Sequence, residues 1–152
     1  MCIHIKPASS GDIPFLWDML YEAIHIGDGE ERPPRSILQK PELANYVENW
    51  GRNGDHALIA TDSDGKKIGA VWIRLFNNMV KVYGFVDEQT PILSMAISHD
   101  YRGKGIGTKL MNEMCKLASN HSYKAISLSV DPSNPALRLY ERFGFKKIGV
   151  DG

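Results

Sequence analysis

Apolar residues recur along this chain with two different periods, and the period changes near residue 56. Residues 2–7 (CIHIKP) alternate, which predicts a short strand. Ser9, Ser10 and Asp12 then supply a helix start, and Ile13, Leu16, Leu20, Ala23 and Ile24 follow at helical spacing. Residues 27–36 (GDGEERPPRS) carry glycine, proline and charge and predict a loop. Pro41 suits the first turn of a second helix, with Leu43, Val47 and Trp50 on one face, and GRNGD at 51–55 predicts a turn.

Beyond that point the pattern is mostly that of strands. HALIAT (56–61) and KIGAVWIRLF (67–76) predict two strands joined by DSDG (62–65), whose Asp and Gly suit the positive φ of a hairpin turn. Residues 77–90 are ambiguous, although VKVYGFV is compatible with an extended segment. PILSMAIS (91–98) is nearly continuous in apolar character, as a strand covered on both faces should be. Residues 105–119 form the strongest helical pattern, with Ile106, Leu110, Met114 and Leu117 on one stripe. KAISLSV (124–130) predicts another strand, DPSNP a turn and ALRLYERF (136–143) a short helix that Gly144 can cap. FKKIGV (145–150) predicts a last strand. The order β-α-α-β-β-β-α-β-α-β implies an α/β domain over residues 1–152, with a mixed sheet and helices for both faces.

Composition narrows the class of function. The chain has 152 residues, 43% hydrophobic and 24% charged, with a formal net charge of zero. Nucleic-acid binders usually carry a basic excess, so none is expected as a partner. No apolar run approaches the roughly 20 residues needed to span a bilayer, and MCIHIKPASSGD lacks a secretory pattern. The expectation is a cytoplasmic protein without a membrane partner. Cys2 and Cys115 are isolated, and the five histidines lack ligand spacing, so no metal site is expected.

The stretch that carries chemistry is Tyr101-Arg102-Gly103-Lys104-Gly105-Ile106-Gly107-Thr108, between a predicted buried strand and the best helix. Three glycines in five positions let backbone approach a ligand closely. Loop N–H groups and a helix N-terminus together make an anion site, to which Arg102, Lys104 and Lys109 add charge. A phosphate-bearing ligand is implied. A Walker loop fails because Thr108, not Lys, follows Gly107, and a dinucleotide fingerprint fails because its third glycine would fall at Thr108 or Leu110. Asp131 does end the next predicted strand, as a ribose-binding acid would.

The pattern Arg-x-x-Gly-x-Gly at Arg102, Gly105 and Gly107, followed by Asn134, Tyr140, Gly144 and Phe145 in order, resembles the GNAT superfamily of N-acetyltransferases. The resemblance covers residues 91–148 strongly and the first half only through element order. It implies a three-layer domain with acetyl-CoA between strands 91–98 and 124–130, which splay apart. It further implies pantetheine pairing along Met95, Ala96 and Ile97, and pyrophosphate on the amides of Arg102, Gly103, Lys104, Gly105, Ile106, Gly107 and Thr108. Asn134 should contact the pantetheine arm or order the following helix, which its place before Pro135 also suits. Tyr140 should face the thioester sulfur as general acid, or close the short helix as a core aromatic. The acceptor implied is an amine of a small molecule or peptide, and the assembly a homodimer.

Two departures accompany the resemblance. Many family members place a Glu on the strand before the loop, and PILSMAIS contains neither carboxylate nor histidine. Glu22, Asp87, Glu88 or a water chain remain as routes for the amine's proton. Glu22, Glu30, Glu31, Asp87 and Glu88 are also candidates for attracting a cationic acceptor, whereas Trp17, Tyr21, Trp50 and Trp72 suit core or interface better than an acceptor pocket. The family usually adds one more strand after FKKIGV, so a sheet lacking that last strand is expected, its gap covered by a partner subunit or a rearranged strand, unless the sequence is a shortened one. Two other functions fit the same pattern: a non-catalytic acyl-CoA sensor and a module binding ATP or NAD.

Overall fold

The computed structural model describes residues 2–24, 31–77, 82–130 and 134–147. Four antiparallel strands form one sheet in sequence order: β1 (His4–Pro7), β2 (His56–Thr61), β3 (Lys67–Arg74) and β4 (Ile92–Ile97). Helix α1 (Ile13–Glu22) and a single turn, α2 (Pro41–Ala44), lie on one side. Helices α3 (Ile106–Asn120) and α4 (Ala136–Arg142) lie on the other.

Alternation along the strands divides the core between those helices. Ala57, Ile59, Ala70, Trp72, Ile92 and Ala96 pack with Leu16, Met19 and Leu20 of α1. Leu58, Ala60, Val71, Ile73 and Leu93 pack with Ile106, Leu110, Met111, Met114 and Ala118 of α3. Both sheet faces are therefore covered, which is why β2, β3 and β4 read as apolar runs. The α3 stripe is rotated slightly from its expected position: Met111 and Ala118 are buried, while Leu117 is half-buried.

Local chemistry sets the element ends. Asp12 Oδ2 accepts from the Ser9 amide at 2.8 Å, and Lys67 holds Oδ1 at 2.5 Å, fixing the entry to α1. At the β2–β3 turn, Asp62 Oδ1 accepts from the amides of Asp64 and Lys66 at 2.9 and 3.0 Å, and Gly65 takes φ +82°.

Three expectations need correction. The helix starting at Pro41 stops after one turn: the Tyr46 and Val47 amides donate to the Leu43 and Ala44 carbonyls, three residues back, at 3.1 and 3.0 Å, and side chains of β3 hold the carbonyls that follow. Arg74 Nη1 donates to the Asn45 carbonyl at 3.0 Å and Trp72 Nε1 to the Tyr46 carbonyl at 3.1 Å. Val47 is nonetheless fully buried and Trp50 partly so. Residues 124–130 do not form a regular strand: one parallel bridge joins Ile92 to Ser127, and Lys124, Ala125 and Ser129 are exposed. Residues 145–147 are not extended into a ladder. Residues 148–150 of the expected last strand, and 78–81, 131–133 and 25–30 of the expected loops and turns, lie outside the described residues.

Candidate active site

The end of the bridge leaves one edge of β4 open. The Ser98 amide donates to the Ile68 carbonyl at 2.8 Å, so even-numbered β4 residues direct their backbone groups toward β3. Odd-numbered residues face the other edge, where the Leu93 amide donates to the Ser127 carbonyl at 2.8 Å and the Ser127 amide to the Pro91 carbonyl at 3.0 Å. Past this point no backbone group among the described residues answers Met95 or Ile97. Of the three residues expected to receive pantetheine, Met95 and Ile97 thus face the open edge, whereas Ala96 faces β3.

The glycine loop stands at the end of that edge. A short 3₁₀ turn (His99–Tyr101) leads into it, and Tyr101 Oη donates to Asp62 Oδ2 at 3.0 Å, anchoring the loop to the β2–β3 turn. Gly103 and Gly105 take φ of +76° and +79°, and a Cβ at either would meet nothing within 4 Å. Gly105 is the N-cap of α3, whose first internal bond is from the Lys109 amide to the Gly105 carbonyl at 3.3 Å. The six amides of Gly103 to Thr108 consequently have no hydrogen-bond acceptor among the described residues. Consecutive unanswered N–H groups at the start of a 15-residue helix attract an anion through their own dipoles and the helix dipole. Gly107 has a packing role as well, since a Cβ there would lie 3.0 Å from Leu139 Cδ2 and 3.5 Å from Met95 Cε.

The remaining expected residues occupy distinct positions. The Arg102 amide donates to the His99 carbonyl at 3.3 Å, and its guanidinium is turned toward Ile97 and Glu22. Lys104 is exposed, with Nζ 5.6 Å from the Tyr101 ring centre. Asn134 lies just before α4, whose N-cap is Pro135, and its Oδ1 accepts from the amide of the first helical residue, Ala136, at 2.9 Å. Tyr140 is 7% exposed, packed edge-on to Phe145 at 6.0 Å, and its hydroxyl has no hydrogen-bond partner among the described residues. Burial pushes its pKa up to about 12, so the phenol keeps its proton at neutral pH.

Among the base candidates, Glu22 is paired with Arg102 at 3.1 Å, and Asp87 and Glu88 are exposed in a turn where Asp87 accepts from the Gln89 amide at 2.9 Å. Glu31 is exposed, while Glu30 and Asp131 lie outside the described residues. Trp72 is wholly buried, Tyr21 donates to the Pro33 carbonyl, and Trp50 stacks on Arg74. Trp17 lines a groove of about 750 Å³ with Arg35, Leu38, Pro41 and Glu48, and none of the loop residues borders it. Sequence reasoning missed Ser127, whose isolated bridge is the last backbone pairing on the outer edge of β4 among the described residues and whose Oγ donates to the Gly84 carbonyl at 2.6 Å. No residue type flags such a role, because it depends on where two strands part.

A loop of amides without acceptors, continuous with a strand edge that lacks a neighbour among the described residues, offers donors for a phosphate and backbone groups for an extended, amide-bearing chain. Comparison with known proteins identifies the family. The profile of the Acetyltransferase (GNAT) family matches residues 17–145, and the chain belongs to that family. It is 34% identical over 110 residues to an N-alpha-acetyltransferase of Saccharolobus solfataricus, covering 69% of this chain and 65% of that protein. It is 27% identical over 120 residues to the mycothiol acetyltransferase of Clavibacter sepedonicus, covering 78% of this chain and 36% of that protein. The chain thus spans between about a third and two thirds of these relatives' lengths. Among solved structures, the phosphinothricin acetyltransferase of Sinorhizobium meliloti in complex with AcCoA superposes with a TM-score of 0.70 at 21% identity, over 98% of this chain and 77% of that one. A GCN5-related N-acetyltransferase of Ralstonia eutropha superposes with a TM-score of 0.73 at 12% identity, over 99% and 97%. These likenesses fix the fold as that of the family.

Proposed function

We propose that the protein is an N-acetyltransferase that moves the acetyl group of acetyl-CoA onto a primary amine of a small molecule or peptide, by direct attack. The observation that carries this reading is the run of six amides, Gly103 to Thr108, that have no acceptor among the described residues and are continuous with the open edge of β4. Acetyl-CoA supplies the activated thioester carbonyl. The loop amides hold the diphosphate, and the outward N–H and C=O of Met95 pair with the pantetheine amides as an added strand would. Asn134 acts by ordering α4, which carries Tyr140.

Tyr140 is the general acid in this reading. Tyr140 is protonated at neutral pH, as any phenol is, and donates that proton to the departing sulfur as the C–S bond breaks; its burial, which raises the pKa to about 12, makes it a weaker acid there. The amine must arrive neutral, through solvent or through a carboxylate outside β4. The N-alpha-acetyltransferase name of the Saccharolobus solfataricus relative makes peptide α-amines the first acceptors to screen. A homodimer remains part of the proposal on family grounds.

The absence of a carboxylate from β4 favours one second reading, a non-catalytic acyl-CoA sensor. Thiol release from acetyl-CoA with a panel of peptide and polyamine acceptors separates the two. Turnover with any acceptor supports the enzyme. Binding of acetyl-CoA without turnover on any amine supports the sensor.

A further inference from the structure

Arg102 carries the only charge that the Arg-x-x-Gly-x-Gly pattern itself requires, and the natural assumption is that this charge meets phosphate. The geometry points elsewhere. Nε donates to the Ile97 carbonyl at 3.1 Å, the last outward-facing acceptor of β4. Nη2 donates to both the Glu22 carbonyl at 3.3 Å and Glu22 Oε2 at 3.1 Å. Glu22 is the final residue of α1, so its carbonyl is among those a helix leaves unpaired at its C-terminus. A cation there also meets the favourable end of the helix dipole.

One planar side chain therefore closes the ends of two elements from distant parts of the sequence. Its own backbone begins the glycine loop. Moving this guanidinium onto a phosphate would release the Ile97 and Glu22 carbonyls and leave the Glu22 carboxylate without its ion-pair partner beside an anion. A cation already neutralised by a carboxylate also offers an incoming diphosphate little net charge. We propose that Arg102 is a positioning residue, a strut that holds the start of the anion loop and the end of β4 against the C-terminus of α1 through Glu22, and that neither residue touches phosphate or acts as the base. This rests on the acetyl-CoA reading above.

Glu22→Gln distinguishes a strut from a phosphate ligand, because it breaks the ion pair yet leaves the cation free for phosphate, whereas Arg102→Lys removes the fork that either role would use. Acetyl-CoA affinity would be measured by calorimetry for wild type, Arg102→Lys, Glu22→Gln and the double variant, with pH–rate profiles for each. A half-exposed pair of this kind predicts that Arg102→Lys and Glu22→Gln each weaken acetyl-CoA by about two- to fivefold. The double variant should be no weaker than Arg102→Lys alone, since the two act through one contact. The acidic limb of the profile should stay in place in Glu22→Gln. Wild-type affinity in Arg102→Lys, or tighter binding in Glu22→Gln as the freed cation turns to phosphate, would overturn the strut. A lost acidic limb in Glu22→Gln would instead make Glu22 the base. If wild type does not bind acetyl-CoA, the underlying reading fails, and hydrogen exchange of residues 98–108 decides the strut separately. Faster exchange in Glu22→Gln keeps it; unchanged exchange removes it.

Discussion

The two edges of β4 present opposite solutions to the same requirement, that backbone groups find partners. On the β3 side six residue pairs run in register from Ile92 opposite Arg74 to Ile97 opposite Gly69. That side ends in a closed network. The Arg74 guanidinium meets Asp55 through Nε–Oδ1 at 3.0 Å and Nη2–Oδ2 at 3.2 Å, with side chains 1% and 2% exposed. Asp55 also accepts from the amides of Gly51 and Arg52 at 3.0 and 2.8 Å. On the other side backbone pairing stops at the Ser127 bridge; beyond it the Ile97 carbonyl accepts from Arg102, while the Met95 backbone groups and the six loop amides have no partner among the described residues. The closed edge holds the fold; the open edge is available to a ligand.

Variants on the two sides should fail in different ways. The largest effect belongs to the closed side. Asp55→Ala leaves Arg74 buried without its partner and should cost about 3–5 kcal/mol, read by urea denaturation. If stability survives within error, the network is not what closes that edge. On the open side, Tyr140→Phe should lower kcat by about a hundredfold or more while acetyl-CoA affinity stays at the wild-type value. Equal turnover by the variant would take the acid role from Tyr140. Gly105→Ala puts a side chain at φ +79°, with no steric neighbour to blame, so about 1–2 kcal/mol of backbone strain should appear together with weaker acetyl-CoA binding. Thermal melts with and without ligand separate those two components.

The smallest effect concerns the entry to α1. The Lys67 hydrogen bond, helped by the Ser9 amide, holds the Asp12 carboxyl below its ordinary 3.8. A depressed folded-state value means that the unfolded chain binds the proton more readily, so this stabilisation is complete above pH 3.8 and is lost as pH falls through the folded value. Asp12→Asn should therefore cost about 1 kcal/mol at neutral pH, on the scale of a lost helix cap. The difference from wild type should shrink in acid. A gap that persists at the lowest pH at which both fold would assign it to packing instead.

The closed side was largely legible in the sequence, and the open side only in part. Covered strands announce themselves as apolar runs, and glycine spacing marked the loop and the start of α3. The short run after α2 was not legible, because the side chains that hold its carbonyls, Trp72 and Arg74, lie on a strand 26 and 29 residues away. Residues 124–130 have the composition of a strand, yet composition does not say where a neighbour stops pairing. The place of Arg102 in the motif was readable. Its partner was not, since Glu22 sits 80 residues earlier and nothing local singles it out.

The central claim is that the unanswered amides of Gly103 to Thr108 and the open edge of β4 form one acetyl-CoA site. Calorimetric titration of the protein with acetyl-CoA, with ATP and NAD as controls, tests it most directly. The account predicts saturable binding of acetyl-CoA, clearly tighter than that of either control because only its pantetheine arm reaches the β4 edge. No binding, or tighter binding of ATP or NAD, would contradict it.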